Sequence, residues 1–383
     1  MGEEVTTYDA SHIQVLEGAE AIRKRPGMYI GSTDARGLHT LVYEVADRAV
    51  NEVLDGRATS IALTLTADGG VSVADDGPGI APDAADGTGR PGVEALLTRT
   101  WWHGPWTGGR HHVMLGLCGV GWPAAANVLS RRMTAEVRRD GVRWVQEYAR
   151  GVATTPLTEA GAVDGSGTTL TFWPDPGIFG TAEVSADALE DRFRELAFLN
   201  RALDISFTDL RQDAPRSVRL HHPDGVRDFL DSLAASPCDA DIAFEHEDPR
   251  MAGVMETALR WSDHPGERVR SFANSRPLLG GTHVTGFRAG LASAINAYAR
   301  QQGLLKAADP DFDTQRVGEG LTAVLSMKLD RPELEGSTRG MLGNSEVRAC
   351  VERAVEQHVG RWLAEYPGRA AAVVGRIAGP ARR

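Results

Sequence analysis

The sequence predicts an α+β fold in two domains, and three observations support this prediction. The chain has 383 residues, which is more than one hydrophobic core ordinarily serves. Segments whose apolar residues recur at helical spacing are interspersed with segments that alternate apolar and polar residues, as strands do. This periodicity breaks at "QDAPRSVRLHHPDG", so we place a domain boundary near residues 213–225.

Composition narrows the function classes. The chain is 42% hydrophobic and 24% charged, which is typical of a globular protein in water. Its formal net charge of -11 argues against nucleic-acid binding through overall charge. No apolar run reaches the ~18 residues of a membrane span. Three scattered cysteines, Cys118, Cys238 and Cys350, favour a reduced, cytoplasmic protein without a zinc site or disulfide framework.

The first elements are a long helix and a hairpin. The helix is predicted to begin near Leu38 and to end at Gly56. The segment "SIALTLTADGGVSVADDG" then predicts two antiparallel strands that end at Asp75. The apolar residues on one face of the helix are Leu41, Val42, Val45, Ala49, Val53 and Leu54.

A long loop and a second set of elements follow. Residues 81–110 form a Gly-, Pro- and Asp-rich stretch around "GVEALLTRTWW", which predicts a functional lid or disorder. Pro123 suits the first turn of the next helix. The further predicted strands are "GTTLTFWPD", "METALRW" and "GLTAVLSMKLD", and the further helices are "LEDRFRELAFLNRAL", "FRAGLASAINAYARQQGLL" and "NSEVRACVERAVEQHVGRWLAEY".

Three stretches carry candidate chemistry, and each has a structural alternative. Glu44, on the polar edge of the first helix, is suited to polarise a water for attack on a phosphate, or forms an i,i+4 surface pair with Arg48. Asp75, followed by Gly-x-Gly, is placed to accept a hydrogen bond from an amino group, or forms an Asx turn. "GLCGVG" is either a simple turn or a loop whose backbone approaches a phosphate before a helix start.

The order and spacing of these stretches resemble the ATP-binding fold of the GHKL superfamily. The opening "YDASHIQVLEGAEAIRKRPGMYIGSTDARGLHTLVYEVADRAVNEVL" is similar to the start of proteins in the gyrase B and topoisomerase IV family. "RELAFLNRALDISFTD", "GGTHVTGFRAGLASAINAYA", "EGLTAVLSMKL" and "SEVRACVE" are similar to later parts of the same region. The resemblance covers essentially the whole chain, and "RKRPGMYIG" is highly specific to type II topoisomerases.

The resemblance implies a fold and an assembly. It predicts a GHKL (Bergerat) ATP-binding α/β sandwich over residues 1–222, followed by a smaller α/β transducer domain over residues 223–383. Tyr8 matches a tyrosine in an N-terminal arm that reaches the nucleotide of the other protomer. The family therefore implies an ATP-gated homodimer.

The family resemblance also implies which residues form the nucleotide site. By the family pattern, Glu44 would be the general base that activates the attacking water, and Arg339 would reach the γ-phosphate. Asp75 would hold the adenine amino group with help from Thr168. The other nucleotide-binding residues that the resemblance implies are Tyr8, Arg48, Gly77, Gly79, Ile80, Gly116, Leu117, Cys118, Gly119, Val120, Gly121 and Ser337.

Several positions depart from the family pattern. Arg48 replaces an asparagine that ligates magnesium, and a guanidinium has no lone pair for a metal. Arg339 replaces the lysine that reaches the γ-phosphate, and Cys118 replaces a histidine. The lid lacks the usual lysines and carries tryptophans, either to bury its apolar side or to stack on a ligand. These are Trp101, Trp102, Trp106 and Trp122.

Arg48 supports a prediction about magnesium. If its guanidinium pairs with the phosphates, one fixed charge replaces part of a divalent one. Such a pair at ~4 Å is worth about 4 kcal/mol at an effective dielectric near 20, but it cannot orient oxygens as an octahedral ion does. We therefore expect ATP binding with weakened magnesium dependence and slow or redirected hydrolysis.

Three functions remain open on the sequence. The first is a gyrase-type ATPase clamp. The second is an enzyme of the same fold that transfers a phosphoryl or nucleotidyl group from ATP to a small molecule. The third is a non-catalytic nucleotide-binding partner of a gyrase subunit. The sequence shows no TOPRIM domain after the transducer, so we expect a stand-alone paralogue or an excised fragment. DNA binding is undecided, and no membrane partner is expected.

Overall fold

The structure is a computed structural model of the chain. It describes residues 16–82, 92–99, 111–113, 115–116, 123–233, 242–263, 266–336 and 338–379. Within these residues, no helix combines the length and apolarity that crossing a membrane requires.

Twelve α helices lie within the described residues. They are α1 (Gly18–Lys24), α2 (Gly27–Ile30), α3 (Ala35–Leu54), α4 (Gly92–Thr98), α5 (Pro123–Val128), α6 (Pro176–Phe179), α7 (Ala186–Leu199), α8 (Val226–Leu233), α9 (Thr282–Gln301), α10 (Thr314–Val317), α11 (Ser345–Glu365) and α12 (Pro367–Ala378).

Seventeen strands accompany these helices in the described part of the chain. They are β1 (Ile61–Leu65), β2 (Val71–Asp75), β3 (Ser130–Arg139), β4 (Val142–Ala149), β5 (Val152–Ala153), β6 (Thr158–Ala162), β7 (Gly167–Pro174), β8 (Ile205–Asp209), β9 (Arg216–Leu220), β10 (Ile242–Asp248), β11 (Gly253–Trp261), β12 (Arg268–Ala273), β13 (Arg276–Leu278), β14 (Gly280–Gly281), β15 (Leu321–Leu329), β16 (Leu334–Glu335) and β17 (Met341–Leu342).

The first nine strands form one mixed sheet in the order β5-β4-β3-β7-β2-β1-β8-β9, with β6 paired to β4. The predicted hairpin is confirmed, with Ile61 opposite Asp75 in an antiparallel register. Strand β1 also pairs in parallel with β8. Helices α3, α5 and α7 contribute to the apolar cluster of this half, which places the end of β2 beside the middle of α3.

The second half has a five-stranded sheet in the order β10-β11-β15-β12-β13 and a small sheet of β14, β17 and β16. Helices α9 and α11 supply much of its apolar cluster. A third cluster joins Phe198 and Leu199 to residues of α8, β12 and β15. The mixed α+β architecture predicted from the sequence is confirmed, whereas the division at residue 222 stays a prediction.

Most predicted elements are present with shifted ends. The helix predicted at residues 189–203 runs instead over Ala186–Leu199, because the Asn200 backbone leaves helical geometry and its amide bonds Leu196 O and Ser275 Oγ. The helix predicted at residues 287–305 is Thr282–Gln301. It stops before Gly303, whose φ of +71° is left-handed.

Helices α9 and α11 pack closely because α9 presents glycines to its neighbour. A Cβ added at Gly286 would lie 2.3 Å from Arg348 O, and one at Gly290 would lie 2.4 Å from Glu352 O. Side chains at these positions would push the two backbones apart. The "GFRAG" spacing of four residues therefore fixes how closely the two helices approach.

We expect Gly290→Ala to lower the free energy of unfolding by about 1–3 kcal/mol, since the new methyl group has to displace the α11 backbone. Gly360→Ala in α11 is the matched control, because nothing lies within 4 Å of its added Cβ. The control should be neutral or stabilising by up to about 1 kcal/mol. Urea unfolding of both variants makes the comparison, and equal effects would contradict close packing at Gly290.

Candidate functional site

Helix α3 carries a buried stripe of polar side chains. The helix starts at Asp34, whose carboxylate accepts from Arg36 N at 2.9 Å as an N-cap. Because positions three and four apart share a helix face, residues 44, 47, 48 and 51 point the same way. Between 1% and 8% of each of these residues is exposed. Polar groups so far from water need partners, and those partners define the site.

Two members of the stripe hold the residues that follow the predicted lid. Leu115 N donates to Asp47 Oδ1 at 2.7 Å, and Val113 N donates to Asn51 Oδ1 at 2.9 Å. Asn51 Nδ2 donates in turn to Val113 O at 3.1 Å and to Asp47 O at 2.8 Å. Helix α3 thus fixes the backbone of Val113 and Leu115 through side-chain hydrogen bonds.

Glu44 faces Gly116 directly. A Cβ added at Gly116 would lie 2.1 Å from Glu44 Oε1 and 2.2 Å from its Cδ. A side chain at residue 116 would therefore displace the Glu44 carboxylate from its present position. The contact brings the predicted general base to the first residue of the predicted phosphate loop.

Asp47 lies beside Glu44 in the same buried stripe. Burial, followed by the negative charge of Glu44, raises the pKa of Asp47 well above its ordinary value, and the backbone N–H groups of Leu115 and Gly116 oppose this shift. Below that raised pKa, Asp47 is protonated. The like charge beside Glu44 is then removed.

Arg48 makes a buried ion pair with Asp75. Its Nη2 bonds Asp75 Oδ2, and its Nη1 lies 3.8 Å from Glu52 Oε1. The Arg48 side chain is 5% exposed and that of Asp75 is 0% exposed. The sequence offered two partners for Arg48, a phosphate or Glu44, whereas the structure pairs it with the carboxylate predicted to recognise adenine. Arg48 makes its i,i+4 contact with Glu52, four residues later in the chain, and not with Glu44, four residues earlier.

The backbone after Asp75 turns sharply. Asp75 Oδ1 accepts from Gly77 N at 3.0 Å, which is the Asx turn that the sequence left open. Gly79 has φ of +76° and fits against Arg138 O, only 2.6 Å from where a Cβ would lie. Ile80 N donates to Thr168 Oγ1 at 3.2 Å. Thr168 lies opposite Asp75 across β2 and β7, so the two predicted adenine-contacting residues are brought together.

The second half of the chain reaches the same region. Asn274 Nδ2 donates to His112 O at 3.0 Å, and His111 Nε2 lies 3.4 Å from Asp330 Oδ1. Arg339 is exposed, with φ of +51°. Arg276 Nη2 reaches Thr338 O, the residue before Arg339, at 3.4 Å. The chain after the lid is therefore held from both sides.

Comparisons with known proteins identify relatives of this chain by sequence and by fold. A family model described as DNA gyrase B matches residues 225–383. The 43K ATPase domain of Thermus thermophilus gyrase B, solved in complex with an aminocoumarin, is 33% identical with a TM-score of 0.79, over 94% of each chain.

The chain belongs to the DNA gyrase B family.

Other relatives support this assignment. The DNA gyrase B protein of Streptomyces coelicolor is 42% identical over 97% of this chain, which spans 57% of that relative's length. The topoisomerase IV ATP-binding domain of Francisella tularensis, solved with a small-molecule inhibitor, is 28% identical with a TM-score of 0.77, over 95% of this chain and 97% of that one. The gyrase B ATPase-domain fold is thus confirmed.

Part of the predicted site lies outside the described residues. This applies to the arm residue, to most of the glycine loop, to one transducer residue and to the four lid tryptophans. They are Tyr8, Leu117, Cys118, Gly119, Val120, Gly121, Ser337, Trp101, Trp102, Trp106 and Trp122. The other predicted site residues, Glu44, Arg48, Asp75, Gly77, Gly79, Ile80, Gly116, Thr168 and Arg339, are described.

The gyrase-type site also includes residues that the sequence analysis did not single out. Asp47 and Asn51 fix the chain after the lid, and Arg276 enters from the second half. The i,i+3,i+4,i+7 spacing of polar residues in α3 was a usable signal for the first two. Nothing local marks Arg276, because β12 and β13 bring it to the site from a distant part of the sequence.

Asp47→Asn should gain stability relative to the unaltered chain as pH rises. The raised folded-state pKa of Asp47 means that its ionisation favours the unfolded chain, where the pKa is about 3.9. The stability contributed by protonated Asp47 is complete below that value and is lost as pH rises through the folded-state pKa. Asparagine cannot ionise.

Urea unfolding between about pH 4 and pH 8 measures this difference in unfolding free energy. Asp140→Asn is the control for an exposed position, because the Asp140 side chain is 87% exposed. A flat difference for Asp47→Asn would mean that Asp47 ionises normally in the folded chain.

Arg48→Met should cost about 3–5 kcal/mol of unfolding free energy, because it leaves the Asp75 carboxylate buried without its cation. Adding Asp75→Asn should recover part of this loss, since a neutral amide needs no counter-charge. Chemical denaturation of both single variants and the double variant gives the coupling energy.

Arg288→Met serves as the exposed control. Arg288 is 43% exposed and pairs with Glu267, so its loss should cost no more than about 1 kcal/mol. Additive effects of Arg48→Met and Asp75→Asn would show that the two side chains do not pair in solution.

Proposed function

We propose that the chain is a gyrase B-type domain that binds ATP and hydrolyses it slowly, with reduced dependence on magnesium. One observation carries the proposal: Glu44, Asp75, Thr168 and Gly116, far apart in sequence, converge around the middle of α3 and the end of β2. Two of the solved relatives are an ATPase domain and an ATP-binding domain, which supports the same function.

Glu44 is suited to act as a general base. Its carboxylate lies against Gly116 and is buried, in surroundings where a charge acts strongly on a nearby water. A base in this position takes a proton from the attacking water while the terminal phosphate is displaced. The small residue at 116 leaves the carboxylate room to lie beside a phosphate.

Asp75 retains capacity for an adenine amino group. An ionised carboxylate offers about four lone-pair sites, and the hydrogen bonds to Arg48 and Gly77 N use two of them. The amino group can therefore join the existing partners, provided that the buried corner opens enough to admit it. Arg48 neutralises the carboxylate, so we expect adenine recognition weaker than a freely accessible aspartate would give.

The described donor set suits magnesium poorly. Arg48 offers no lone pair at the family's ligand position, and Asp47 Oδ1 and Asn51 Oδ1 already accept backbone N–H bonds. Among these side-chain oxygens only Asp47 Oδ2 is left without a hydrogen-bond partner in the described part of the chain, whereas magnesium at a nucleotide site ordinarily takes one or two protein oxygens besides phosphates and waters. We therefore assign no catalytic step to magnesium, and the reduced dependence rests on this mismatch.

A second candidate is a non-catalytic nucleotide-binding domain. Arg48 favours it, because a guanidinium at the position where the family has a magnesium ligand offers no lone pair to a metal that would assist hydrolysis. A homodimer through Tyr8 and a gyrase subunit as partner belong to the proposal through the family resemblance. Phosphoryl or nucleotidyl transfer to a small molecule would instead require ATP consumption that depends on that molecule.

Glu44→Gln should lower kcat for ATP hydrolysis by about 10²–10⁴-fold, because it removes the base and keeps the shape. ATP affinity should change little. Glu147→Gln, at an exposed position in β4, is the charge-matched control. Equal turnover in the unaltered protein and Glu44→Gln, with ATP bound by both, would rule out hydrolysis as the function.

Calorimetry with ATP in EDTA and in magnesium tests the metal prediction. We expect binding in both, and we expect Arg48→Asn to increase the magnesium dependence by supplying an amide oxygen as ligand. A strict magnesium requirement in the unaltered protein would contradict the proposal. Absence of ATP binding under either condition would defeat it entirely.

A further inference from the structure

The turn that joins β12 and β13 is fixed by its surroundings. Asn274 Nδ2 donates to Leu329 O at 2.9 Å, and Leu329 N donates to Asn274 Oδ1 at 2.8 Å. Asn274 and Ser275 both have positive φ, 47° and 61°. Non-glycine residues hold such a conformation when their surroundings dictate it.

Helix α7 anchors the same turn. Arg192 Nη2 donates to Ser275 O at 2.8 Å, and Asn200 Nδ2 donates to Ser275 Oγ at 2.8 Å. Both Asn274 and Ser275 are 2% exposed. Arg276 follows at once, so its backbone is set from the first half of the chain as well as the second.

The Arg276 guanidinium is a half-buried cation among other cations. Within the described residues it makes one hydrogen bond, the 3.4 Å contact with Thr338 O, and no ion pair. Its pKa is lowered by burial, and next by the positive charges of Arg339 and Arg192. The negative charges of Glu44 and Asp47 raise it. Arg276 therefore lies within the electrostatic reach of the proposed base and of two like charges.

We propose that Arg276 binds the terminal phosphate of the nucleotide. A general base and the phosphate that its water attacks are about two hydrogen-bond lengths apart, roughly 6 Å. The turn before Arg276 bonds His112 O through Asn274 Nδ2 at 3.0 Å, and the next residue, Val113, is held by Asn51 of α3. Arg276 therefore enters the region of the proposed base from the opposite half of the chain, where its long side chain can reach that phosphate. The anion would relieve the repulsion among Arg192, Arg276 and Arg339, and would give the guanidinium the charged partner that it lacks.

This inference rests on the proposed function and changes one part of it. Arg48 was the cation expected to replace metal charge at the phosphates, but Asp75 holds it. Arg276 takes that role from a turn that is already rigid, so little ordering is needed when the phosphate binds. Arg339, which is exposed, would then be the second and more mobile phosphate contact.

The test compares three nucleotides. Calorimetry measures binding of AMP, ADP and the non-hydrolysable β,γ-imido analogue of ATP to the unaltered protein, Arg276→Ala and Arg276→Lys. We expect Arg276→Ala to weaken the imido analogue about tenfold or more and AMP less than twofold. Arg276→Lys should lie between, because it keeps the charge and loses the planar fork.

Controls separate the outcomes. Arg288→Ala removes an arginine of the second half that pairs with Glu267, and it should leave all three affinities unchanged. If Arg276→Ala does not fold, Arg276→Gln removes the charge and keeps a donor for Thr338 O. Equal weakening of AMP and the imido analogue, or no weakening of either, overturns this inference alone. Failure of the unaltered protein to bind any of the three defeats the proposed function and this inference with it.

Discussion

The buried pair between Arg48 and Asp75 is the constraint on which the site depends. Neither side chain has appreciable access to water, so each is tolerated only because the other compensates its charge. The pair ties the middle of α3 to the end of β2, and the Asx turn at Gly77 continues from the same carboxylate. The pair therefore sets together the position of α3 and the shape of the corner at Asp75, which is predicted to hold adenine.

Around this pair the charges are segregated. The carboxylates of Glu44 and Asp47 come from α3, whereas Arg276 and Arg339 come from the second half of the chain. If a polyphosphate binds between these residues as proposed, its negative charge would be attracted by the arginines, and the proposed base would lie on its other side. A cation held by rigid backbone can supply part of the charge that gyrase-type sites otherwise share with a metal ion.

A short segment, described at residues 111–113 and 115–116, contacts both halves of the chain. Asp47 and Asn51 bond its backbone from α3, and Asn274 bonds it from the β12–β13 turn. Any change in the nucleotide pocket that moves this segment therefore acts on both halves at once. The shared attachment couples the two halves mechanically, because all three side chains are buried and each bonds the backbone of this segment.

The sequence by itself indicated the family through its resemblance to gyrase B proteins. It also determined the mixed α+β fold and the elements around Glu44 and Asp75, because helical spacing, strand alternation and turn glycines are local properties. The predicted ends of α7 differ from the observed ends by three and four residues, and its C-terminal end was wrong because Asn200 bonds Ser275, a tertiary contact. Only the tertiary structure decided which carboxylate neutralises Arg48 and which arginine lies on the turn that contacts His112. Ion-pair partners depend on distances between strands and turns that are remote in sequence, and the chain pattern alone does not contain those distances.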